Sequence, residues 1–321
     1  MTIRPLFELV VNRRKVRLGE RTLIMGVLNV TPDSFSDGGH YFAADRAIEH
    51  GLEMVDQGAD WIDVGGESTR PGSRPVTARE ELRRVLPVIQ RLRNRRSTLP
   101  ISIDTTKAEV AEEAVRAGAS IINDTSGLRF DPRLAEVAGR HRTPLILMHL
   151  RGRPETMQQK PFAHSIWRSL NDGLKRSIQR ALARGVPRSQ LIIDPGMGFG
   201  KSRRQNFEIL AQLERLQRFR LPILVGTSRK SFVQAVVRGE GLQPSRPQKR
   251  RATPWPLTGG AGAGLALPGG APQAAPLLLG DAAAVAASIL GGAHIVRVHD
   301  VAAILPAVRI ADAILAARLR P

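Results

Sequence analysis

The sequence predicts an α/β fold built as a single (β/α)8 TIM barrel with an N-terminal hairpin. Short β-branched runs alternate with amphipathic helical patterns along the 321 residues, in eight strand–helix units, and polar residues follow nearly every run. A doubly wound parallel sheet is the alternative, but such sheets usually stop at about six strands. Eight units in roughly 250 residues or more are typical of a barrel. We therefore expect residues 1–321 to form one domain.

The predicted elements begin with the hairpin. Phe7, Leu9 and Val11 alternate with other residues before the basic run Arg13-Arg14-Lys15, a pattern typical of two short strands within residues 1–21. The eight predicted barrel strands are Thr22–Asn29, Trp61–Gly65, Pro100–Asp104, Ser120–Asn123, Pro144–His149, Gln190–Asp194, Pro222–Thr227 and Ala293–His299.

Helices are predicted where apolar residues recur at helical spacing between the strands. A glycine ends two of these patterns: Ile48, Leu52 and Val55 precede Gly58, and Val110, Ala114 and Ala117 precede Gly118. Thr106 and Glu109 are spaced as a capping box for the second of these helices.

One interval departs from the strand–helix alternation. The stretch Gly239–Pro276 is rich in Gly, Ala, Pro, Gln and Arg, which predicts a low-complexity, disordered insertion (239–276) within the barrel domain. Helices are expected on either side of it, at Lys230–Arg238 and Leu279–Leu290. Because the second helix must run back along the barrel before the last strand, the insertion is expected to leave the barrel at the rim of the active site.

Composition excludes several classes of chemistry. With no cysteine, the chain cannot use a thiol nucleophile, an iron–sulfur cluster or a cysteine-bound zinc. The formal charge of +19 would suit nucleic acid or a membrane surface, but the basic residues are mainly dispersed arginines that match no nucleic-acid module. The N-terminus lacks an apolar signal core, and Asp281 interrupts the apolar stretch Leu277–Val296. We therefore expect a soluble cytoplasmic chain with no nucleic-acid or membrane partner.

Functional side chains are expected at the carboxyl ends of the strands, where α/β barrels bind their ligands. The loop after the first barrel strand offers Asn29, Thr31, Asp33, Phe35 and Asp37. The later strand ends add Asp63 with Glu67, Thr69 and Arg70, then Asp104, Asn123, Asp124, His149, Asp194, Ser228, Arg229, Lys230, Arg297 and His299. Any single strand-terminal Asp is explained equally well as a cap for the next helix. Their repetition indicates one shared site.

The residue types indicate a ligand with a charged group and a polar ring. Donors and positive charge for an anion come from Arg70, Lys230, Arg297 and His299, and acceptors for a flat, NH-rich heterocycle come from Asp104, Asn123 and Asp194. The alternative is that the cationic residues only balance the neighbouring carboxylates. The alternation of Arg297 and His299 on one strand face favours a shared ligand.

The segment Gly196–Ser202 does not match the familiar nucleotide-binding motifs. The pattern GxxxxGK[ST] requires glycine where Pro195 stands, and the third glycine of GxGxxG comes one residue early. The sequence also contains no nucleophile elbow, HExxH motif or His-rich cluster. Any metal is therefore expected to be hard and oxygen-bound, namely magnesium on a phosphate ester with one protein ligand such as Asn29.

Taken together, the motifs resemble the dihydropteroate synthase family of folate biosynthesis. The resemblance rests on these stretches, in order: Met25–Gly39, Asp63–Gly72, Ile103–Thr105, Ile122–Asp124, Met148-His149, Asp194–Lys201, Ser228–Ser231 and Arg297–Val301. It runs from about residue 20 to the C-terminus, except for the insertion.

The resemblance implies a magnesium-dependent homodimer that condenses para-aminobenzoate with dihydropterin pyrophosphate. By resemblance, the pterin ring would be bound by Asp104, Asn123, Asp194 and Lys230, with Met148 and Phe199 lining its slot. Asn29 would ligate Mg²⁺, and the pyrophosphate would be held by Thr69, Arg70, Arg297 and His299. The aminobenzoate pocket would be shaped by Phe35, Pro71, Ser228 and Lys230. The residues expected to act in catalysis are Arg70, Lys230, Arg297 and His299.

Two other functions stay open on the sequence. A corrinoid-dependent pterin methyltransferase uses a related barrel, but it needs no pyrophosphate ligands such as Arg70, Arg297 and His299. A pterin-binding paralogue without synthase activity is favoured only by the altered interval, where Pro276-Leu277 stands in place of the Glu-Arg pair usual in the family.

Overall fold

The computed structural model describes residues 4–31, 40–68, 73, 75–153, 157, 163–242 and 274–319. Within these ranges an antiparallel hairpin, β1 (Phe7–Val11) and β2 (Arg14–Leu18), precedes a sheet of eight parallel strands. The sheet strands are β3 (Leu23–Asn29), β4 (Trp61–Gly65), β5 (Ile101–Asp104), β6 (Ile121–Asp124), β7 (Leu145–Met148), β8 (Leu191–Asp194), β9 (Leu224–Val225) and β10 (Ile295–Val298). The predicted hairpin and all eight predicted barrel strands are confirmed.

The parallel sheet closes on itself. Its hydrogen-bonded order runs from β8 back through β3 and on to β10 and β9. An isolated parallel bridge between Ile193 and Ile223, with a 3.0 Å hydrogen bond from the Ile193 amide to the Pro222 carbonyl, joins the two ends of that order. The predicted TIM barrel is therefore confirmed. The strand predicted at Pro222–Thr227 is regular over only Leu224 and Val225.

Helices cover the outside of the barrel. Within the described ranges they are α1 (His40–Asp56), α2 (Ala78–Arg95), α3 (Ala108–Ala117), α4 (Leu134–His141), α5 (Ile166–Ala183), α6 (Arg203–Ala211), α7 (Ser231–Val237), α8 (Ala274–Leu290) and α9 (Val301–Leu319). Short 3₁₀ helices occur at Arg188–Gln190 and Leu213–Phe219. No helix in the described part of the chain combines the length and apolarity that a membrane span requires.

The start of α3 differs from the sequence prediction. Lys107, not Thr106, is the N-cap residue, and its side chain makes no capping hydrogen bond. The first orphan amide, that of Ala108, instead donates to the carboxylate of Asp131 at 3.0 Å. The capping box of Thr106 and Glu109 was therefore wrong, because an acceptor from a neighbouring loop satisfies the helix terminus.

The predicted insertion lies mainly outside the described residues, since 243–273 are not described. At its end the prediction was wrong: α8 begins at Ala274, so residues up to Pro276 are helical, and proline is tolerated in a first turn. Both flanks lie at the carboxyl end of the barrel strands. Glu240 forms a 2.6 Å ion pair with Arg203 at the start of α6, and Asp281 accepts a 2.8 Å hydrogen bond from the Arg229 amide beyond β9.

The two-residue period of the strands sorts side chains into two cores. Outward residues such as Ile24, Ile62 and Ile103 pack against the helices in one large cluster. Inward residues form a second cluster with Leu9, Val11 and Leu18 of the hairpin, namely Leu23, Met25, Trp61, Ile121, Ile146, Ile192, Leu224 and Ile295. The hairpin therefore seals the amino-terminal end of the barrel interior with apolar side chains.

A buried arginine ties the N-terminal segment to the last helix. The Arg4 guanidinium, 7% exposed, donates to Thr22 Oγ1 at 2.6 Å, to the Ala293 carbonyl at 3.1 Å and to Asp312 Oδ1 at 3.2 Å. Asp312 in turn accepts from the Thr22 amide at 2.8 Å. This network joins the hairpin segment, β3 and α9 at the amino-terminal end of the barrel.

Arg4→Ala is expected to lower the free energy of unfolding by about 3–5 kcal/mol, because it strips a buried carboxylate network of its cation. Arg17→Ala is the matched control, since Arg17 makes a 3.3 Å ion pair with Glu20 while both side chains are exposed. That change should cost about 0–1 kcal/mol. Urea denaturation of both variants measures the difference, and equal losses would contradict a structural role for the Arg4 network.

Candidate active site

The carboxyl-terminal half of the barrel interior is polar. On most strands the residue two positions after an inward apolar side chain also points inward. This polar layer consists of Asp63, Asp104, Asn123, Asp194 and Arg297, with Met148 as its apolar member. The predicted convergence of polar residues on one end of the barrel is thus observed, at or within two residues of the strand ends.

The guanidinium of Arg297 holds the layer together. Its Nε donates to Asp63 Oδ2 at 2.6 Å, and its Nη2 donates to Asp104 Oδ2 at 2.8 Å. Asn123 Nδ2 donates to the same Asp63 oxygen at 2.9 Å. The alternative considered for cationic residues, that they balance carboxylates, therefore describes Arg297 in this structure. Its Nη1 makes no hydrogen bond to the described residues and is free to meet a ligand.

Burial sets the protonation of the carboxylates in this layer. Desolvation raises the pKa of Asp104, while the charge of Arg297 opposes the rise and the carboxylate of Asp63 adds to it. Desolvation also raises the pKa of Asp194 to about 6, against a 2.6 Å hydrogen bond from the Gly196 amide. Both groups therefore exchange protons close to neutral pH, and each can accept a hydrogen bond from a ligand N–H when ionised.

Lys230 lies against an aromatic ring beside the polar layer. Its Nζ is 4.2 Å from the centroid of the Phe199 ring, a cation–π distance. Burial, helped by the charge of Arg297, lowers the pKa of Lys230 to about 8, and Asp194 and Asp104 resist this shift. Phe199 also belongs to a buried apolar cluster with Met148, Leu150 and Met157. The structure thus brings together the lysine and the two predicted slot residues.

The glycine-rich loop after β8 is held by a buried lysine. Lys201 Nζ donates to the carbonyls of His149, Gly196 and Phe199 at 3.1, 2.7 and 3.0 Å. A Cβ on Gly196, whose φ is +66°, would lie 2.2 Å from the His149 carbonyl oxygen. The rejection of a phosphate-binding loop agrees with this geometry, because the lysine points into the protein and fixes the position of Phe199.

Ser228 and His299 meet at the strand ends beyond β9 and β10. The Ser228 hydroxyl lies 3.2 Å from His299 Nδ1 and 3.3 Å from the His299 amide. It is also 3.4 Å from Asp281 Oδ2. Arg229, predicted as a strand-end candidate, points away and pairs with Asp300 at 2.9 Å. Arg297 and His299 therefore contact different groups.

Asn29 supplies an amide oxygen at the mouth of the barrel. It is the last residue of β3, and a Cβ on the neighbouring Gly65 would lie 3.7 Å from Asn29 Oδ1 and 3.8 Å from Asp104 Oδ2. The Cβ position of Gly65 thus lies between these two oxygens, at ordinary van der Waals distance from both. Among the described residues no group of three or more His, Cys, Asp or Glu could hold a metal by itself. A metal here would take most of its oxygens from a ligand, as magnesium commonly does.

Several predicted site residues lie outside the described ranges. These are Asp33, Phe35, Asp37, Thr69, Arg70 and Pro71. Nothing in the structure tests their predicted roles, which stay predictions.

Two strand-end candidates are placed elsewhere. Asp124 accepts hydrogen bonds from the Ser126 and Leu128 amides at 2.8 and 2.5 Å, so it shapes its own loop. His149 faces α5, with its Nε2 3.3 Å from Ser169 Oγ. Burial lowers the pKa of His149 well below its usual value, so the ring is neutral. Neither side chain belongs to the polar layer.

The sequence analysis named Glu67 as a candidate but missed its two partners, Lys107 and Glu81, in an ion-pair cluster next to the site. Lys107 Nζ donates to Glu81 Oε2 at 2.5 Å and also contacts Glu67. All three residues line a cavity of about 380 Å³ that reaches Asp104 and Phe199. Lys107 follows the predicted strand end at Asp104 and could have been included on that ground. Nothing in the sequence singles out Glu81, because a buried Glu on a helix rich in charged residues has the same local pattern as a Glu on the exposed face of that helix.

Comparisons with known proteins agree with this geometry. A family model described as pterin binding enzyme matches residues 25–299. A dihydropteroate synthase of Synechocystis is 42% identical over 296 residues, 92% of this chain and 91% of the relative. Two solved structures each have 36% identity and a TM-score of 0.80. They are a Yersinia pestis dihydropteroate synthase with a sulfonamide drug (97% of this chain, 100% of that one) and a Xanthomonas albilineans dihydropteroate synthase with 4-aminobenzoic acid (99% and 100%).

Proposed function

Because this chain belongs to the family of pterin-binding enzymes, we propose that it is a transferase that condenses para-aminobenzoate with dihydropterin pyrophosphate to give dihydropteroate and pyrophosphate. The observation that carries the proposal is the polar layer, in which Asp104, Asn123 and Asp194 surround Arg297 inside the barrel. Acceptors for ring N–H groups and a cation thus lie within one site, next to the apolar pair Met148 and Phe199.

The pterin ring would lie on the polar layer. Asp104 and Asp194 would accept from ring N–H groups, Asn123 can offer both donor and acceptor, and Lys230 can donate to a ring nitrogen or carbonyl. Met148 and Phe199 would contact the flat faces of the ring. The cation–π contact between Lys230 Nζ and the Phe199 ring, with 4.2 Å from Nζ to the ring centroid, keeps that lysine beside the slot.

The pyrophosphate would lie above this layer, toward the strand ends. Arg297 has an unused Nη1, and His299 lies at the mouth beside Ser228, so both can donate to phosphate oxygens. Asn29, the last residue of β3, would contribute one oxygen ligand to magnesium shared with the phosphates. When bound, magnesium would neutralise charge on the leaving pyrophosphate. Thr69 and Arg70 would complete the anion site.

The residues present suit departure of pyrophosphate before the amine attacks. No strong base is needed, because the aminobenzoate amine attacks a methylene already made electron-poor. Three carboxylates, Asp63, Asp104 and Asp194, face two cations inside the barrel. This balance favours a developing positive charge on the pterin, which the fixed carboxylates stabilise electrostatically. Phe35, Pro71 and Ser228 would shape the pocket of the incoming aminobenzoate.

Purified protein mixed with Mg²⁺, dihydropterin pyrophosphate and labelled para-aminobenzoate should form labelled dihydropteroate. Lys230→Ala should lower kcat/KM at least about tenfold, since it removes a charge-assisted contact of about 1.5–3 kcal/mol. Lys175, exposed on α5, provides the control Lys175→Ala, which should leave the rate unchanged. Tight pterin binding without product would favour a non-catalytic paralogue instead.

The same assay should show a bell-shaped dependence of kcat/KM on pH. Asp194 becomes protonated below its pKa of about 6, and Lys230 loses its proton above its pKa of about 8, so the rate should fall on both sides of that window. Lys230→Arg should retain its charge above pH 8 and extend the alkaline limb. An alkaline limb unchanged by this substitution would remove Lys230 from the proposed role.

We also propose that residues 243–273 are dispensable for the site. The described flanks are anchored independently, Glu240 to Arg203 and Asp281 to the Arg229 amide. Replacing residues 243–273 with a short Gly-Ser linker should preserve folding and turnover, because each doubling of loop length changes the free energy of loop closure by only about 0.6 kcal/mol. Circular dichroism and the turnover assay test this. A folded but inactive variant would show that the segment supplies part of the site.

A homodimer is proposed through the outer face of α8 and α9. Leu279 on α8 and Ile310 and Ile314 on α9 are 69%, 65% and 41% exposed, the two helices pack against each other, and exposed apolar side chains on neighbouring helices are typical of an interface. Ile310→Glu should convert dimers to monomers in light scattering. Leu182→Glu on α5, at a site 40% exposed, should leave the mass unchanged. A wild-type protein that is monomeric at micromolar concentration would contradict the proposal.

A further inference from the structure

A second cavity lies on the outer side of the barrel, behind Met148. It measures about 280 Å³ and is lined by the loop after β6, the loop after β7 and the inner face of α5. His149, placed outside the polar layer, forms part of its wall together with Ser126, Ser169 and Ser177. This volume is close to the lower end of the range for small-molecule sites.

The wall of this cavity is rich in positive charge. Arg129, Arg151, Arg176 and Arg180 line it, and no carboxylate of the described residues does. Neither Arg129 nor Arg176 nor Arg180 forms an ion pair within the described part of the chain. Some other arginines of the described chain do have a carboxylate partner, as Arg116 and Arg133 do. Three converging guanidinium groups repel one another unless an anion lies between them.

Backbone carbonyls hold two of these arginines, Arg129 and Arg180, in place. Arg129 Nη1 donates to the Leu150 and Gly152 carbonyls at 2.6 and 3.3 Å, and Arg180 Nη1 donates to the Leu128 carbonyl at 3.3 Å. Burial and the charges of Arg180 and Arg176 lower the pKa of Arg129. The guanidinium groups of Arg129 and Arg180 are thus fixed by neutral acceptors, which do not neutralise their charge.

We propose that this cavity, outside the barrel and distinct from the candidate active site, binds the phosphate group of a small ligand, either inorganic phosphate or a phosphate monoester. Guanidinium groups suit this chemistry because their paired N–H donors match the oxygens of a phosphate. The side-chain hydroxyl of Ser169 lines the same wall. An occupant would lie behind Met148 and Leu150, and Arg129 and Leu150 also line the 380 Å³ cavity next to Asp104.

Calorimetric titration with inorganic phosphate, at fixed ionic strength set by chloride, tests the proposal. The double variant Arg176→Gln/Arg180→Gln should weaken phosphate binding at least about tenfold, since two charge-assisted contacts are lost. Arg168→Gln/Lys175→Gln is the matched control, because both residues are exposed on the same helix, do not line the cavity and carry the same charge. The control should keep wild-type affinity.

A parallel titration with glycerol phosphate distinguishes the source of the phosphate, since tighter binding of the ester would indicate a phosphate monoester as ligand. Circular dichroism establishes that both double variants fold. Equal loss of affinity in the two double variants would overturn the proposal, because binding would then follow net charge. Undiminished phosphate binding by Arg176→Gln/Arg180→Gln, or absence of binding by the wild-type protein, would overturn it as well.

Discussion

The polar layer at the carboxyl-terminal end of the barrel is held together by one guanidinium, that of Arg297 between Asp63 and Asp104. Asp63 is fully buried, and its Oδ1 has no hydrogen-bond partner among the described residues. Removing the arginine would leave two desolvated carboxylates without a counter-charge, which is far costlier than losing an exposed pair. The unmatched oxygen of Asp63 shows that the layer is built with spare acceptor capacity. A ligand rich in N–H donors can use that capacity, whereas a purely anionic ligand could not.

The same strand period that builds the barrel places this layer. Trp61 and Asp63 on β4, Ile121 and Asn123 on β6, and Ile192 and Asp194 on β8 are each two residues apart and therefore point the same way. The hairpin fills the opposite end with Leu9, Val11 and Leu18. A register slip of one residue would turn Asp63 or Asp194 out toward the helices, where no partner exists in the apolar outer core. Apolar packing at the amino-terminal end of the barrel thus fixes the strand register that turns the polar side chains inward at the carboxyl-terminal end.

The sequence was sufficient for the barrel, the hairpin and the residues of the polar layer, because period-two runs followed by polar residues are local signals. The sequence was insufficient where the role of a residue depends on a tertiary contact with a residue distant in sequence. Arg297 on β10 pairs with Asp63 on β4, two strands away in the sheet and far away in the sequence, and Lys201 is held by three carbonyls. His149 and Asp124 share the strand-end pattern of Asp104, yet they face α5 and their own loop. No local sequence pattern distinguishes His149 and Asp124 from Asp104. The capping box at Thr106 failed for the same reason, since Asp131 is a tertiary partner.

Asp281 explains how the barrel accommodates the altered interval before α8. Its carboxylate accepts from the Arg229 amide and lies 3.4 Å from Ser228 Oγ, whose hydroxyl is next to His299. One side chain of α8 therefore connects the helix to the ends of β9 and β10. This anchor is the eighth residue of a helix that starts at Ala274. Pro276 and Leu277, which stand in place of the Glu-Arg pair expected from the family resemblance, lie within the first turn of the same helix, and Asp281 one turn later makes the contacts with Ser228 and the Arg229 amide.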